Sequence, residues 1–265
     1  MSIYLDLTRA FNVGALRAVL SGGPAVVLHR LAVMSKDGDW IARETQDALQ
    51  HILAVLGARG ARYRFGAPLD VRWMAGGWSA HLEFPTPDLR VRTDFVTRPP
   101  RLAPDDLASM WRELAEATVP FLDARRLIEL KKTNREKDYA VIGELARLLT
   151  DARTQVLTSR SARDLARLAR EHPEWIDVLR RTRPLLAVAS GPAAELEQAL
   201  DAERRALMHA NERRLQAYLD AAAAWRAAWP GVERELAERP LAEAHRHMVE
   251  RAFGVLPFTV PTEPR

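Results

Sequence analysis

The spacing of hydrophobic and polar residues predicts an α/β region over the first 150 residues. Alternating patterns predict strands at 15–23, 35–42, 61–69, 78–86 and 89–97. Helical patterns cover 3–12, 24–32, 44–57 and 104–116, followed by an extended segment at 119–123 and a helical stretch at 124–150. Pro24 suits the first position of its helix, because that amide has no helical partner. Gly76 and Gly77 favour a hairpin turn between the third and fourth strands.

From about residue 151 the pattern is helical throughout. Helices are predicted at 160–171, 173–181, 192–229 and 232–252, with breaks at Pro173, Pro184, Gly191, Pro230 and Pro240. The sequence therefore predicts an α/β (α+β) fold with a mixed sheet, followed by an all-helical C-terminal module. The predicted domains are residues 1–150 and 151–265.

Composition excludes several classes of protein. Hydrophobic residues make up 48% of the 265 residues, which is typical of a globular chain. Cysteine is absent, so disulfides, thiol nucleophiles and cysteine-based metal centres are excluded. We find no secretion signal and no apolar run of about 20 residues, so we expect a cytoplasmic protein that does not enter a membrane. The net charge of +4 is compatible with an anionic substrate without requiring one.

Two aspartates one residue apart are the first candidate for chemistry. Asp37 and Asp39 fall in a predicted strand, where alternate side chains share a face and their Cα atoms lie about 6.5–7 Å apart. A divalent cation would relieve the repulsion between these carboxylates, and Mg²⁺ commonly takes one or two carboxylates plus substrate phosphates. The same Asp-x-Asp pattern also occurs in ordinary surface turns.

A glycine pair and a third aspartate extend this pattern. Gly22 and Gly23 separate a predicted strand from a helix, where unpaired amides favour an anion, although a Gly-Gly pair taken alone is more simply explained as a plain connecting turn. Asp94 lies inside a predicted strand, which its propensity disfavours. Either a metal or an ion pair with Arg90 or Arg92 would account for it.

Two segments resemble the DNA polymerase beta superfamily of nucleotidyltransferases, especially its minimal prokaryotic members. In SGGPAVVLHRLAVMSKDGDWI, a Gly-Gly turn and a helix precede a strand with two acidic residues, and thirteen residues separate Gly23 from Asp37. The segment DARRLIELKKTNREKDYAVIGELARLL is similar to the helices that close such domains. The likeness covers roughly residues 15–150. Gly38 departs from it, because the residue between the paired aspartates is usually bulky and apolar.

The resemblance implies a mixed-sheet nucleotidyltransferase fold and a metal-dependent transfer of a nucleoside monophosphate from a nucleoside triphosphate to a hydroxyl. It assigns Mg²⁺ or Mn²⁺ to Asp37, Asp39 and Asp94, with Asp70 as a rival third carboxylate. Ser21, Gly22 and Gly23 would hold the outer phosphates. Lys131 or Lys132 would offset charge that develops on the phosphates, unless these lysines simply form a solvated helix face.

Family likeness also suggests a biological role. Small members modify tRNA, proteins or small molecules, and several belong to toxin–antitoxin modules, which is the role expected here. One alternative is a non-catalytic protein that keeps the fold and binds a partner protein through its helical half, where Trp225 and Trp229 lie among paired arginines. Another is an RNA-binding regulator. The histidines show no metal-binding spacing, so no zinc site is predicted.

Overall fold

A computed structural model describes residues 2–261 of the chain. Its five-stranded sheet has the order β1-β2-β5-β4-β3, in which β2 and β5 run parallel and the other neighbours run antiparallel. The strands are β1 (Ala18–Ser21), β2 (Gly38–Ala42), β3 (Arg62–Tyr63), β4 (Ala80–Pro85) and β5 (Arg90–Val96). The predicted α/β fold with a mixed sheet is confirmed.

Helices alternate with the strands along the first part of the chain, and every described element after β5 is a helix. Those up to residue 131 are α1 (Ser2–Phe11), α2 (Gly22–Leu28), α3 (Gln46–Gly57), α4 (Val71–Met74), α5 (Pro104–Glu113) and α6 (Ala124–Lys131). Later ones are α7 (Glu136–Arg147), α8 (Ala152–Thr158), α9 (Ala162–Glu171), α10 (Pro173–Leu179), α11 (Ala193–Ala221), α12 (Ala223–Leu236) and α13 (Leu241–Ala252), with a 3-10 helix at Pro184–Val188. Among the described residues, no strand follows residue 151, as predicted, and Phe121 in the segment predicted to be extended forms an isolated parallel bridge with Leu20.

Several predicted boundaries were wrong. The third strand shortens to the two residues of β3, and the single turn α4 separates it from β4 where a hairpin turn at Gly76 and Gly77 was expected. The helix predicted to break at Pro230 breaks instead at Ala222, between α11 and α12, and Pro230 lies inside α12. Strand β2 begins at Gly38, so Asp37 precedes it.

One face of the sheet is buried and mainly apolar. Leu20, Trp40, Phe95 and Ala80 are register partners across β1, β2, β5 and β4, and all four are completely buried. Their core also includes residues of α1, α3, α12 and α13. Since strand residues alternate between faces, the neighbouring residues of the same strands point to the other side of the sheet.

The chain forms two compact units that differ from the predicted division at residue 151. The first contains residues 2–122 and 215–261, and the second is Asp123–Arg214. The first unit recruits its last helices from the end of the chain, and Trp225 and Trp229 are buried in its core. These tryptophans are therefore packing residues and not a surface for a partner. Within the described residues, no helix is long and apolar enough to cross a membrane.

Candidate active site

A row of polar residues crosses the face of the sheet opposite the apolar row. Asp39 on β2 is the register partner of both Ser21 on β1 and Asp94 on β5, and Asp94 is in turn the partner of His81 on β4. The backbone amide of Arg64 donates to the carbonyl of His81 at 2.9 Å, which adds Arg64 at the far end. A single line of ionisable groups therefore runs across the sheet, with two carboxylates at its centre.

Asp39 and Asp94 are brought together by the parallel pairing of β2 and β5. Register partners on neighbouring strands lie about 5 Å apart and point to the same face. Asp94 Oδ1 accepts hydrogen bonds from the Arg64 guanidinium at 3.4 Å and makes a 2.7 Å contact with Nδ1 of His81. The ion pairs weighed for Asp94 with Arg90 and Arg92 do not form, because Arg90 contacts Glu83 at 3.2 Å and Arg92 points towards Asp37.

Asp37 lies just before β2, at the edge of the same group. Nη1 of Arg92 lies 3.9 Å from Asp37 Oδ1, and the carbonyl of Asp37 accepts a hydrogen bond from Ser35 at 2.8 Å. Asp37 Oδ1 is enclosed and accepts no hydrogen bond from any residue in the described part of the chain. A buried carboxylate oxygen without a donor is suited to a cation.

The glycine turn packs directly against Asp39. Gly22 has a φ of +56°, and a Cβ atom there would lie 2.0 Å from Asp39 Oδ2. The amide of Gly23 donates to the same oxygen at 3.2 Å, so it is not the unpaired amide that we expected. Only glycine fits at position 22, because both the left-handed backbone and the contact with the carboxylate exclude a side chain.

Tyr4 reports on the electrostatics of the three aspartates. Burial raises the pKa of its hydroxyl, and the negative charges of Asp37, Asp39 and Asp94 raise it further. The hydroxyl donates to the carbonyl of Lys36 at 2.7 Å. All three predicted carboxylates therefore act on one point beside the polar row.

The unusual Gly38 also has a structural cause. A Cβ atom at this position would lie 2.3 Å from the ring of Trp40 and 2.7 Å from that of Tyr4. The indole nitrogen of Trp40 donates to Thr8 at 2.9 Å, which fixes the ring under the strand. The two aromatic rings occupy the space that a larger side chain would fill, so Gly38 belongs to a packed strand.

The predicted lysines belong to the second compact unit. Lys131 Nζ lies 3.5 Å from the buried carboxylate of Asp138, and Lys132 Nζ lies 2.6 Å from Glu129. Both lysines are thus paired within their own unit and do not form a freely solvated helix face. Their role at a nucleotide stays a prediction.

Sequence reasoning missed His81 and Arg64, and it left Asp70 open. In WSAHLEF, the polar His81 alternates with buried Ala80 and Leu82, which is a signal for a functional face that could have been used. Nε2 of His81 is hydrogen-bonded to the hydroxyl of Ser79 at 2.9 Å. That hydroxyl is in turn hydrogen-bonded to the hydroxyl of Tyr218 at 3.0 Å. Asp70 caps α4 and pairs with Arg72 at 2.8 Å, which gives it a local structural role.

The residues present fit a divalent cation that also binds phosphate. In the described part of the chain, no ready-made group of three histidine or acidic side chains could hold a metal on its own. The paired carboxylates of Asp39 and Asp94, together with the donor-free oxygen of Asp37, still offer hard oxygen ligands. This donor set suits Mg²⁺ or Mn²⁺, which complete their coordination with water and substrate phosphates.

Comparison with known proteins gives little further guidance. No family model and no curated protein matches the sequence. A solved structure of a protein from Helicobacter pylori, provisionally named a nucleotidyltransferase, aligns at a TM-score of 0.41 and 13% identity over 80% of this chain and 96% of that one. JHP933 from Helicobacter pylori aligns at 0.38 and 14% over 80% and 92%. These scores are too low to support an argument about activity.

Proposed function

We propose that this protein is a metal-dependent nucleotidyltransferase. The observation that carries the proposal is the parallel register of Asp39 and Asp94, which sets two carboxylates side by side next to the glycine turn at Gly22 and Gly23. Asp37 completes the acidic group through its donor-free oxygen. The sequence resemblance assigns catalytic positions to the same three aspartates.

The proposed reaction is an in-line displacement at phosphorus. The oxygen of an acceptor hydroxyl forms a bond to the α-phosphorus of a nucleoside triphosphate, the bond to the oxygen bridging the α- and β-phosphates breaks, and pyrophosphate leaves. Bound divalent cations would supply charge neutralisation for the entering and leaving oxygens. Asp37, Asp39 and Asp94 would hold these cations, and Asp94 would take up the proton of the hydroxyl.

The remaining residues would position the nucleotide. Ser21 is the buried register partner of Asp39 on the side away from Asp94, so phosphates lying along Ser21, Gly22 and Gly23 would meet the carboxylates from one end of the row. Gly23 would fix the carboxylate of Asp39 through its 3.2 Å hydrogen bond.

Thermal unfolding in the presence of nucleotide tests the binding step. A ligand that binds only the folded state stabilises it by mass action, by about 2.7 kcal/mol at a hundredfold excess over the Kd. We expect the melting temperature to rise with Mg²⁺ and a nucleoside triphosphate together, and we expect Asp39→Asn to remove this rise. Asp47→Asn, which changes an exposed aspartate paired with Arg17, serves as the matched control.

A melting temperature of the native protein that does not change when Mg²⁺ and nucleoside triphosphate are added would contradict the proposal. Nucleotide-dependent stabilisation without turnover would instead favour a non-catalytic binding protein with the same carboxylate arrangement.

A further inference from the structure

Four arginines continue the polar face beyond the carboxylates. Glu83 on β4 is the register partner of Arg62 on β3 and of Arg92 on β5. Arg90 on β5 lies two residues from Arg92, and Arg64, just after β3, lies two residues from Arg62 and continues the pairing through its backbone hydrogen bond to His81. Alternate residues of an extended segment share a face. Arg62, Arg64, Arg90 and Arg92 therefore point to the same side as Asp94, and we call this set the arginine face.

The arginine face is organised around one buried carboxylate. Guanidinium nitrogens of Arg62 and Arg90 lie 3.1 Å and 3.2 Å from Oε1 of Glu83, and a guanidinium nitrogen of Arg64 lies 3.8 Å from Oε2. The Glu83 side chain is 9% exposed, whereas those of Arg62 and Arg90 are 56% and 59% exposed. The carboxylate of Glu83 therefore holds the guanidinium groups of Arg62 and Arg90 in place while more than half of each arginine side chain stays exposed to solvent.

The arginine face is continuous with the proposed metal-binding carboxylates. Arg64 reaches Asp94 at 3.4 Å and Arg92 lies 3.9 Å from Asp37. Arg90 is four residues from Asp94 along β5, which corresponds to about 13 Å. Beyond Arg62 and Arg90 the surface opens into a cavity of about 420 Å³, to which Arg239 and Pro240 also contribute.

We propose that the arginine face binds the phosphate backbone of an RNA strand that is the hydroxyl acceptor of the reaction. This inference depends on the proposed nucleotidyltransferase function. Guanidinium groups bind phosphate through two parallel hydrogen bonds, and arginines at alternate positions of neighbouring strands offer repeated phosphate contacts. An RNA end supplies both the regularly spaced phosphates and the ribose hydroxyl. Because Arg64 contacts Asp94, a strand bound along the arginines would place its terminal hydroxyl near the carboxylates.

The positions of the two substrates follow from the order of the polar row. Ser21 and the glycine turn lie at one end, Arg64 lies at the other, and Asp39 and Asp94 stand between them. A nucleoside triphosphate at the glycine turn and an RNA strand on the arginine face would approach the carboxylates from opposite sides. Because the two substrates would bind to separate surfaces, a mutation could remove binding of one substrate without affecting binding of the other.

RNA binding by the full-length protein tests this inference. The probe is a fluorescent single-stranded RNA 12-mer with a free 3′ hydroxyl, titrated in Mg²⁺ without nucleotide over a range of salt concentrations. We expect Arg62→Gln/Arg90→Gln to weaken binding about tenfold or more, and to reduce the slope of log K against log salt by about 1.4, or roughly 0.7 for each lost phosphate contact. Arg62→Lys/Arg90→Lys, which keeps the charge, should recover part of the affinity.

Arg9→Gln is the matched control, because Arg9 is 55% exposed and pairs with Asp6 on α1. It should bind RNA like the native protein. Stabilisation of Arg62→Gln/Arg90→Gln by Mg²⁺ and nucleoside triphosphate should also equal that of the native protein, which shows that the variant folds and that the arginines do not hold the nucleotide.

Three results would overturn the inference. The first is that Arg62→Gln/Arg90→Gln binds RNA with the affinity and salt slope of the native protein. The second is that this variant loses stabilisation by Mg²⁺ and nucleoside triphosphate to the same extent as it loses RNA affinity. The third is that a polyglutamate peptide of the same length displaces the RNA at equal concentration. Failure of the proposed function has a different signature. In that case arginine-dependent RNA binding would persist while metal and nucleotide failed to stabilise the native chain.

Discussion

At the scale of single residues, the site depends on close packing around Gly38 and Asp39 at the start of β2. Tyr4 and Trp40 fill the space beside Gly38, and Gly22 abuts the carboxylate of Asp39. A Cβ atom at either glycine would displace a ring or the carboxylate itself. The sequence singled out Gly22 as part of a turn and Gly38 as a departure from the family pattern. The contacts of Gly22 with Asp39 and of Gly38 with Tyr4 join residues that are distant along the chain, so local sequence could not explain either glycine.

His245 gives the fold a pH dependence with a definite sign. Burial lowers the pKa of His245 from 6.5, against a smaller raising effect of Asp70, and the hydroxyl of Tyr63 lies 2.8 Å from Nδ1. The backbone amide of Leu69 already donates to that hydroxyl, so the hydroxyl can donate to a neutral imidazole. The stabilisation from neutral His245 is complete above the unfolded pKa, and it is lost as the pH falls through the lowered folded pKa.

We therefore expect the melting temperature of the native protein to fall as the pH is lowered below about 6.5. His245→Gln, whose amide oxygen can still accept from Tyr63, should show a weaker decline over the same range. His209→Gln changes an exposed histidine paired with Glu212 and should behave like the native protein. Identical pH profiles for the native protein and His245→Gln would show that this account of His245 is wrong.

At the scale of elements, the strands with long alternating patterns were predicted well and the short elements were not. β4 and β5 keep their alternation over six and seven residues, and the pattern of α3 extends over twelve. β3 has two residues and α4 a single turn, so neither is long enough to show a period. Pro230 stays within α12, where Trp225, Trp229 and Val232 are buried, because tertiary packing outweighs the local preference.

Sequence alone also left two choices for the third carboxylate. Strand register favours Asp94, because the parallel pairing of β2 with β5 sets it beside Asp39, whereas Asp70 accepts hydrogen bonds from Arg72 at the start of α4. Pairing between strands that are more than 50 residues apart in the chain is not encoded in local periodicity.

Matched substitutions at these aspartates test the choice. We expect Asp70→Ala to lower the free energy of unfolding by about 1 kcal/mol through loss of the helix cap and to leave nucleotidyl transfer active. Asp94→Asn should remove transfer and leave the melting temperature within a few degrees of the native value. Loss of transfer in Asp70→Ala at a temperature where it is folded, with activity kept in Asp94→Asn, would reverse the assignment.

At the scale of the whole molecule, the chain does not divide where its patterns change. Every described element after β5 is a helix, so the change to helical structure comes well before residue 151, and α12 and α13 supply Trp225, Trp229, Val232 and Met248 to the core of the sheet unit. The second unit, Asp123–Arg214, contains its own apolar cluster, which includes Val156, Leu165 and Leu196. Amphipathic patterns indicate that a helix face is buried without identifying its partner.

Fragments of the chain test this division. We expect a fragment of residues 1–150 to fail to fold, because it lacks α12 and α13 and would expose the apolar residues of α3 and β3 that contact α13. A fragment of residues 123–214 should show helical circular dichroism with a cooperative thermal transition. A stable, cooperatively folding 1–150 fragment would instead support the boundary predicted from sequence.

Transfer of the α-phosphate is the most direct test of the central claim, which is that Asp39 and Asp94 form a metal-dependent nucleotidyl-transfer site. The native protein is incubated with Mg²⁺, a mixture of tRNA and cell proteins, and each nucleoside triphosphate labelled at either the α- or the γ-phosphorus. The account predicts that α-label becomes attached to a macromolecule, that γ-label leaves with pyrophosphate, and that Asp39→Asn and Asp94→Asn lose both signals. Attachment of γ-label, or undiminished α-label attachment in both variants, would contradict it.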